Sequence, residues 1–318
     1  MSNSFASGFP RQVQITEVGT RDGFQSEPTP IGTQSKIDLI NRLTAAGVPR
    51  IEATSFVSPR ALPQLADAAE VIAGVQRSPG TILATLVPNK RGALRAAEAG
   101  VDEMVVFASA SESHNKTNVN RSIAESLRGF EEVARVAEEA RIPVHGAIAT
   151  AFGCPFEGDV PVTQLASMAR EYRALGFRGV SLGDTTGMAT PLLVEAAVNA
   201  IREAVPDLDI TLHFHNTRGV GLACVMAGLA LGVDRYESSF AGIGGCPFAP
   251  KATGNICTED LVYLLHETGI DTGIDLDALV GLACDVQSLV GRELPGQIMK
   301  AGQRLELHPM DSVRTATG

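Results

Sequence analysis

The chain has 318 residues, 44% of them hydrophobic and 19% charged, enough for a large core in one α/β domain or two smaller ones. A net charge of −10 and a pI near 5.1 argue against nucleic acid or an anionic membrane as partner. No apolar run approaches the ~18 residues of a membrane span. The opening MSNSFASGFPRQ has no basic region followed by an apolar one, so a cytoplasmic protein is expected.

Short β-rich runs alternate with longer stretches of helical periodicity. VQITEV (13–18) precedes TQSKIDLINRLTAAG, RIEATS (50–55) precedes PQLADAAEVIAGV, and TILATL (81–86) precedes KRGALRAAEAG. EMVVFAS (103–109) precedes IAESLRGFEEVARVAEEA, and PVHGAIA (143–149) precedes VTQLASMAREYRALG. GVSLGD (179–184), ITLHFH (210–215) and RYESSF (235–240) precede PLLVEAAVNAIREAV, GLACVMAGLALG and EDLVYLLHETG. The longer segments carry apolar residues at i, i+3, i+4 and i+7, and several end in Gly, a common helix stop. Eight such units predict a (β/α)8 TIM barrel, whose usual length is about 250 residues. An open doubly wound sheet usually has a Gly-rich first turn, whereas GTRDGFQ is no GxGxxG. The barrel is expected over about 11–270 and a helical extension over about 271–300, in one domain with frayed tails. Cysteines 154, 224, 246, 257 and 284 show no metal-ribbon spacing and read as reduced thiols, most of them in the core.

A TIM barrel carries its chemistry at the C-terminal ends of its strands. Side chains alternate along a strand, so His213 and His215 share a face with Thr211, while Ile210, Leu212 and Phe214 point to the helices. Two inward imidazoles are costly to bury without partners. A hydrogen-bonded core pair meets that need, and so does a divalent ion; an isolated HxH does not choose between them. Other strand ends favour the ion. Arg21 and Asp22 follow strand 1, Glu52 interrupts the apolar run of strand 2, and the loop AGIGGCPFAPKATGN after strand 8 carries Cys246 and Asn255. Two histidines, a carboxylate and an amide oxygen suit octahedral Mg2+ or Mn2+ with positions left for substrate, although the two imidazoles and the carboxylate alone also fit iron. Zinc with four protein ligands lacks an open site. The Gly-rich loop reads as a lid that brings the Cys246 thiol over the site. Asp184 and His114 lie at the expected mouth as supporting or substrate-facing groups, with Gln25 and Thr185 beside Arg21 and Asp184; His145, His266 and His308 are assigned to structure or solvent.

The segments EVGTRDGFQSE, IEATSFVSP, AFGCPFEG, SLGDTTG, HFHNTRG and AGIGGCPFAPKATGNICTEDLVYLL run from about residue 15 to 265. On these the chain resembles the hydroxymethylglutaryl-CoA (HMG-CoA) lyases of the metal-dependent TIM-barrel lyase and acyltransferase superfamily. The resemblance implies a metal on Asp22, His213, His215 and Asn255, Arg21 on substrate oxygens, Cys246 in proton transfer and Glu52 orienting the site. It implies an acyl-CoA thioester substrate, cleaved to acetyl-CoA and acetoacetate, a homodimer and a place in leucine degradation. Asp22 and His213 are both open as the base. Two segments depart from the best-studied members. Asn216-Thr217-Arg218-Gly219 stands for Asp-Thr-Tyr-Gly, and Ala147 stands where a tyrosine opens Tyr-Val-Ser-Cys. A reshaped acyl pocket and an added cation follow, with citramalyl-CoA or a longer branched 3-hydroxyglutaryl-CoA as alternative substrates. A Claisen-condensing synthase of the isopropylmalate or homocitrate type usually carries a long C-terminal region, which this chain does not show.

Overall fold

The computed structural model describes residues 6–245 and 254–307. Eight parallel strands close into a barrel in chain order. They are β1 (Gln14–Glu17), β2 (Arg50–Ser55), β3 (Ile82–Leu86), β4 (Glu103–Ser109), β5 (Val144–Ala149), β6 (Gly179–Asp184), β7 (Asp209–Phe214) and β8 (Arg235–Ser238). Every expected strand is present within two residues of its expected ends. Pairing of β8 with β1, from Gln14 opposite Arg235 to Glu17 opposite Ser238, removes both sheet edges.

The outer layer comprises α1 (Thr33–Ala45), α2 (Ala68–Gly74), α3 (Lys90–Ala99), α4 (Glu112–Val119), α5 (Ile123–Ala140), α6 (Val162–Ala174), α7 (Pro191–Ala204), α8 (Gly221–Ala230) and α9 (Thr258–Glu267). Local chemistry sets their ends. Ser122 and Glu125 form a reciprocal capping box on α5, and Gly100 ends α3 in the left-handed region. The short α4 has no counterpart among the expected helices, because ESHNKTNV carries no apolar stripe. It is set instead by Ser111, whose Oγ accepts from the His114 amide at 3.1 Å. His114 is fully buried there.

The core fills the space between strands and helices, and the alternation along β7 decides what faces the site. Leu212 packs outward so closely under α8 that a Cβ on Gly228 would lie 2.6 Å from it. His213 points inward beside Glu237 of the neighbouring strand. The extension folds as α10 (Leu276–Val290) and the single turn α11 (Ile298–Ala301). Leu279, Leu282, Ala283 and Val286 of α10 join the same apolar core as the barrel, and the Asp275 amide donates to the Ala46 carbonyl at 2.8 Å. Among the described residues no helix is long and apolar enough to cross a membrane.

Candidate active site

The chain leaves β1 through one widened helical turn, Gly19–Gly23, in which the amides of Asp22 and Gly23 both donate to the Val18 carbonyl. Such π-type turns often occur at functional sites. Glu17 builds this one. Its buried carboxylate accepts from the amides of Gly19 (2.7 Å) and Phe240 (3.0 Å) and from Thr258 Oγ1 (2.6 Å). Gly19 is required by close approach, since a Cβ there would sit 2.7 Å from both the Glu17 carboxylate and the Phe240 ring. The turn places Arg21 and Asp22 side by side over the barrel.

Arg21 bridges two carboxylates, with Nη1 to Asp22 Oδ1 at 2.7 Å and Nη2 to Glu52 Oε2 at 2.5 Å. Asp22 also accepts from Gln25 Nε2 at 2.9 Å and from Asn255 Nδ2 at 2.9 Å. Burial alone would raise the Asp22 pKa, but the charges of Arg21, His213 and His215 outweigh it and hold the carboxyl below its ordinary range. Glu52 goes the other way, because its burial exceeds the pull of Arg21 and raises its pKa. Arg21 Nε and Glu52 Oε1 are both buried without a hydrogen-bond partner, a donor and an acceptor left over within one ion pair.

Asp22, His213 and His215 each offer a ligand atom, and these atoms lie within 4.8 Å of one another. The two imidazoles stand 5.2 Å apart, tilted by 41°. His213 Nδ1 is 3.0 Å from Glu237 Oε2. Burial lowers the His213 pKa, yet the hydrogen bond and charge of Glu237, with Asp22 behind them, raise it overall. Asn255 stands beside the group. Its Nδ2 donates to Asp22 and to the Ile243 carbonyl, which turns its Oδ1 into a buried oxygen with no partner. A carboxylate, two imidazoles and an orphaned amide oxygen fit a hard or borderline divalent cation. Asn255 is carried by an isolated bridge to His215 and by Gly254, whose Cβ would fall 1.9 Å from the Gly242 carbonyl oxygen, so no other residue fits there without a backbone shift.

The remaining expected residues divide among the loop after β6, the barrel interior and outer elements, and positions outside the described residues. Asp184 Oδ1 accepts from the amides of Met188 (2.7 Å) and Ala189 (3.0 Å), and burial pushes its pKa up to about 7 despite these bonds. Thr185 Oγ1 accepts from the Thr150 amide at 2.9 Å, so both residues hold the loop after β6. Arg218 Nη1 donates to the carbonyls of Thr186 and Gly187 at 2.9 and 2.8 Å, which spends part of the expected added cation on that same loop. Ala147 is half-buried on the inner wall. His145 is buried in the barrel, its pKa pushed down to about 4 by desolvation first and then by the charge of Arg50, and His266 bonds Thr272 at 2.9 Å. Of the cysteines, Cys154, Cys224 and Cys257 are buried thiols and Cys284 is exposed. Cys246 and His308 lie outside the described residues.

Glu237 was not among the expected site residues, although it is an acid inside the β-rich run RYESSF just as Glu52 is in RIEATS. Arg50, also buried, donates to Thr16 Oγ1 (3.0 Å) and Glu103 Oε1 (2.5 Å) in the same interior. A charged residue within a strand of a closed barrel was the available signal.

Comparison with known proteins agrees with this architecture. A family model described as HMGL-like matches residues 12–286. A hydroxymethylglutaryl-CoA lyase of Bacillus subtilis is 42% identical over 91% of this chain and 97% of its own length. A 3-hydroxy-3-isohexenylglutaryl-CoA/hydroxymethylglutaryl-CoA lyase of Pseudomonas aeruginosa is 43% identical over 92% of this chain and 97% of its own. The structure of an HMG-CoA lyase from Acinetobacter baumannii, in complex with coenzyme A and 3-methylmalate, superposes with a TM-score of 0.91 at 44% identity, covering 98% of this chain and all of that one. With the barrel, the clustered ligand atoms and matches that span nearly its whole length, this chain belongs to the HMGL-like family and is a lyase.

Proposed function

We propose that the protein cleaves HMG-CoA to acetyl-CoA and acetoacetate at a Mg2+ or Mn2+ ion held by Asp22, His213, His215 and Asn255. The observation that carries this reading is the convergence of three ligand atoms within 4.8 Å beside an amide oxygen with no partner of its own. An ion bound there supplies Lewis acidity toward the substrate's C3 hydroxyl and lowers its pKa.

The chain's own groups do the rest. The C3 hydroxyl loses its proton, the C2–C3 bond breaks, and the electron pair passes to C2 as the enolate of the departing thioester. Arg21 Nε, a buried donor without a partner, is available to the thioester oxygen on which that charge develops. The proton acceptor is Asp22 or His213: Arg21 and the histidines keep the Asp22 carboxylate ionised, and His213 stands beside it with Nδ1 3.0 Å from Glu237 Oε2. Glu52 fixes the guanidinium from the far side. Cys246 delivers a proton to C2 of the enolate, which yields acetyl-CoA and closes the proton balance.

One observation favours a second substrate. On the inner wall of β4–β6, Phe107, Ala147, Ala149 and Gly183 are only half-buried, and three of the four are small. Space of that kind suits a C3 substituent longer than methyl, as the name of the Pseudomonas relative states for that enzyme. In the cell the protein is proposed to act as a cytoplasmic homodimer in leucine degradation.

The test incubates purified protein and Mg2+ with HMG-CoA, citramalyl-CoA and a long-branched 3-hydroxyglutaryl-CoA, and measures acetyl-CoA release. HMG-CoA should be cleaved, and Cys246→Ala should lose turnover while binding Mn2+ as before. Preference for citramalyl-CoA overturns the substrate, and full turnover of the cysteine variant removes the thiol from the mechanism.

A further inference from the structure

Beneath the ligand cluster lies a polar chain that crosses the barrel. Glu103 of β4 accepts from Arg50 of β2 at 2.5 Å. Arg50 Nη1 lies 3.8 Å from Glu237 Oε1 and donates to Thr16 Oγ1 of β1. The other oxygen of Glu237 accepts from Ser181 Oγ of β6 at 3.0 Å and faces His213 Nδ1 at 3.0 Å. Register makes this arrangement rigid, since Glu237 stands directly between Thr16 on one neighbouring strand and His213 on the other. All of these groups but Glu103 are buried.

The direction of the last hydrogen bond follows from charge. The Glu237 carboxylate accepts from Ser181 Oγ at 3.0 Å and stands 3.8 Å from the permanently charged Arg50 guanidinium, so donors face both of its oxygens and keep it ionised. An ionised carboxylate only accepts, so the proton between the two groups belongs to His213 Nδ1. The lone pair of a neutral His213 is then on Nε2. The nitrogen an imidazole presents is set by the bond its other nitrogen makes, and a carboxylate in that place also makes the ring a more basic ligand.

We propose that Glu237 is a positioning residue, whose carboxylate, fixed by Arg50 and Ser181, holds His213 in the Nδ1–H form with Nε2 turned to the ligand cluster. The proposal rests on the metal reading above only for its consequence, tighter ion binding; the tautomer is a property of the metal-free protein. It assigns a function to charges that would otherwise be a costly buried network, because an ion pair in a barrel interior is weak support for stability.

The experiment uses the metal-free full chain with 15N-labelled histidine, in which the couplings of the two ring nitrogens report the protonated one and His213→Ala identifies the His213 signals. Mn2+ affinity is then titrated calorimetrically. Wild type should show Nδ1–H at His213. Glu237→Ala should lose that form and bind Mn2+ about 10- to 100-fold more weakly. Glu237→Gln keeps an acceptor oxygen without the charge, so it should retain the tautomer and weaken Mn2+ binding by roughly ten-fold, the lower end of that range. Persistence of Nδ1–H in the alanine variant overturns the proposal, as does wild-type Mn2+ affinity in it. If that variant does not fold, the isosteric glutamine variant decides, and wild-type affinity there overturns the proposal. Unchanged affinity in His213→Ala has a different meaning, because it overturns the metal reading beneath.

Discussion

Arg21 shows how much one side chain is asked to do. Its fork spans Asp22 and Glu52, and burial, which alone would lower its pKa, is outweighed by these two carboxylates, which raise it. A lysine carries the same charge at one nitrogen and lacks the planar fork whose separate nitrogens span Asp22 and Glu52 and leave Nε for a third acceptor. Arg21→Lys should therefore lower kcat by roughly a hundred- to a thousand-fold, the usual cost of one missing oxyanion donor, with a smaller change in KM. Steady-state kinetics on HMG-CoA check this, and a change confined to KM would mean that Arg21 only binds substrate. Residue identities at this scale were legible in the sequence where rare types marked strand ends, as at Arg21, Asp22 and the histidine pair. Asp184 and Thr185 were legible as mouth residues, but their engagement with the amides of Met188, Ala189 and Thr150 depends on how two loops fold back.

At the scale of elements, the turns that carry the site are tied to α9 by two buried carboxyls. Glu17 binds the Phe240 amide and Thr258, and Glu259 Oε2 accepts from the Ala241 amide at 3.0 Å, clamping a residue held at φ 52°. Burial, the largest influence, raises the Glu259 pKa from 4.5 to about 8, with its own hydrogen bonds opposing and Asp260 and Glu17 adding to it. The folded protein therefore retains this proton over a range in which the unfolded chain has lost it. The stability so gained is complete below the unfolded value of 4.5 and is lost as pH rises through about 8. Melting temperatures of wild type and Glu259→Gln from about pH 5 to about pH 9 should diverge, with wild type falling relative to the variant as pH rises. Parallel curves would show that Glu259 is already ionised at the low end. The periodicity of the sequence located α9 but gave no sign of this clamp. A carboxyl at the start of a helix reads as a dipole partner, and the turn it binds, after β8, lies on the far side of the loop that precedes the helix.

For the whole molecule, closure of the barrel makes the extension part of the core. Leu279, Leu282, Ala283 and Val286 of α10 are buried against it, while Asp260 accepts from the amides of Gln297 and Ile298. Burial of a leucine or valine is worth about 1.5–3 kcal/mol each, so losing three exceeds roughly 4 kcal/mol, against a total of about 5–15 for a typical domain. A chain ending at residue 273 should be insoluble or melt at least about 5 °C below wild type; an unchanged melting temperature would make α10 an appendage. Legible along the chain were the alternation of eight strands and helices, the inward face of β7 and the residue types at the strand ends, because these are set by periodicity and turn chemistry between near neighbours. It took the closed barrel to put Glu237 beside His213, to bring Asn255 Nδ2 onto Asp22 while its Oδ1 stays buried without a partner, and to make α10 part of the core. Each of those contacts joins groups that are far apart along the chain or on separate strands, and it is the closure and register of the barrel that bring them within hydrogen-bond distance.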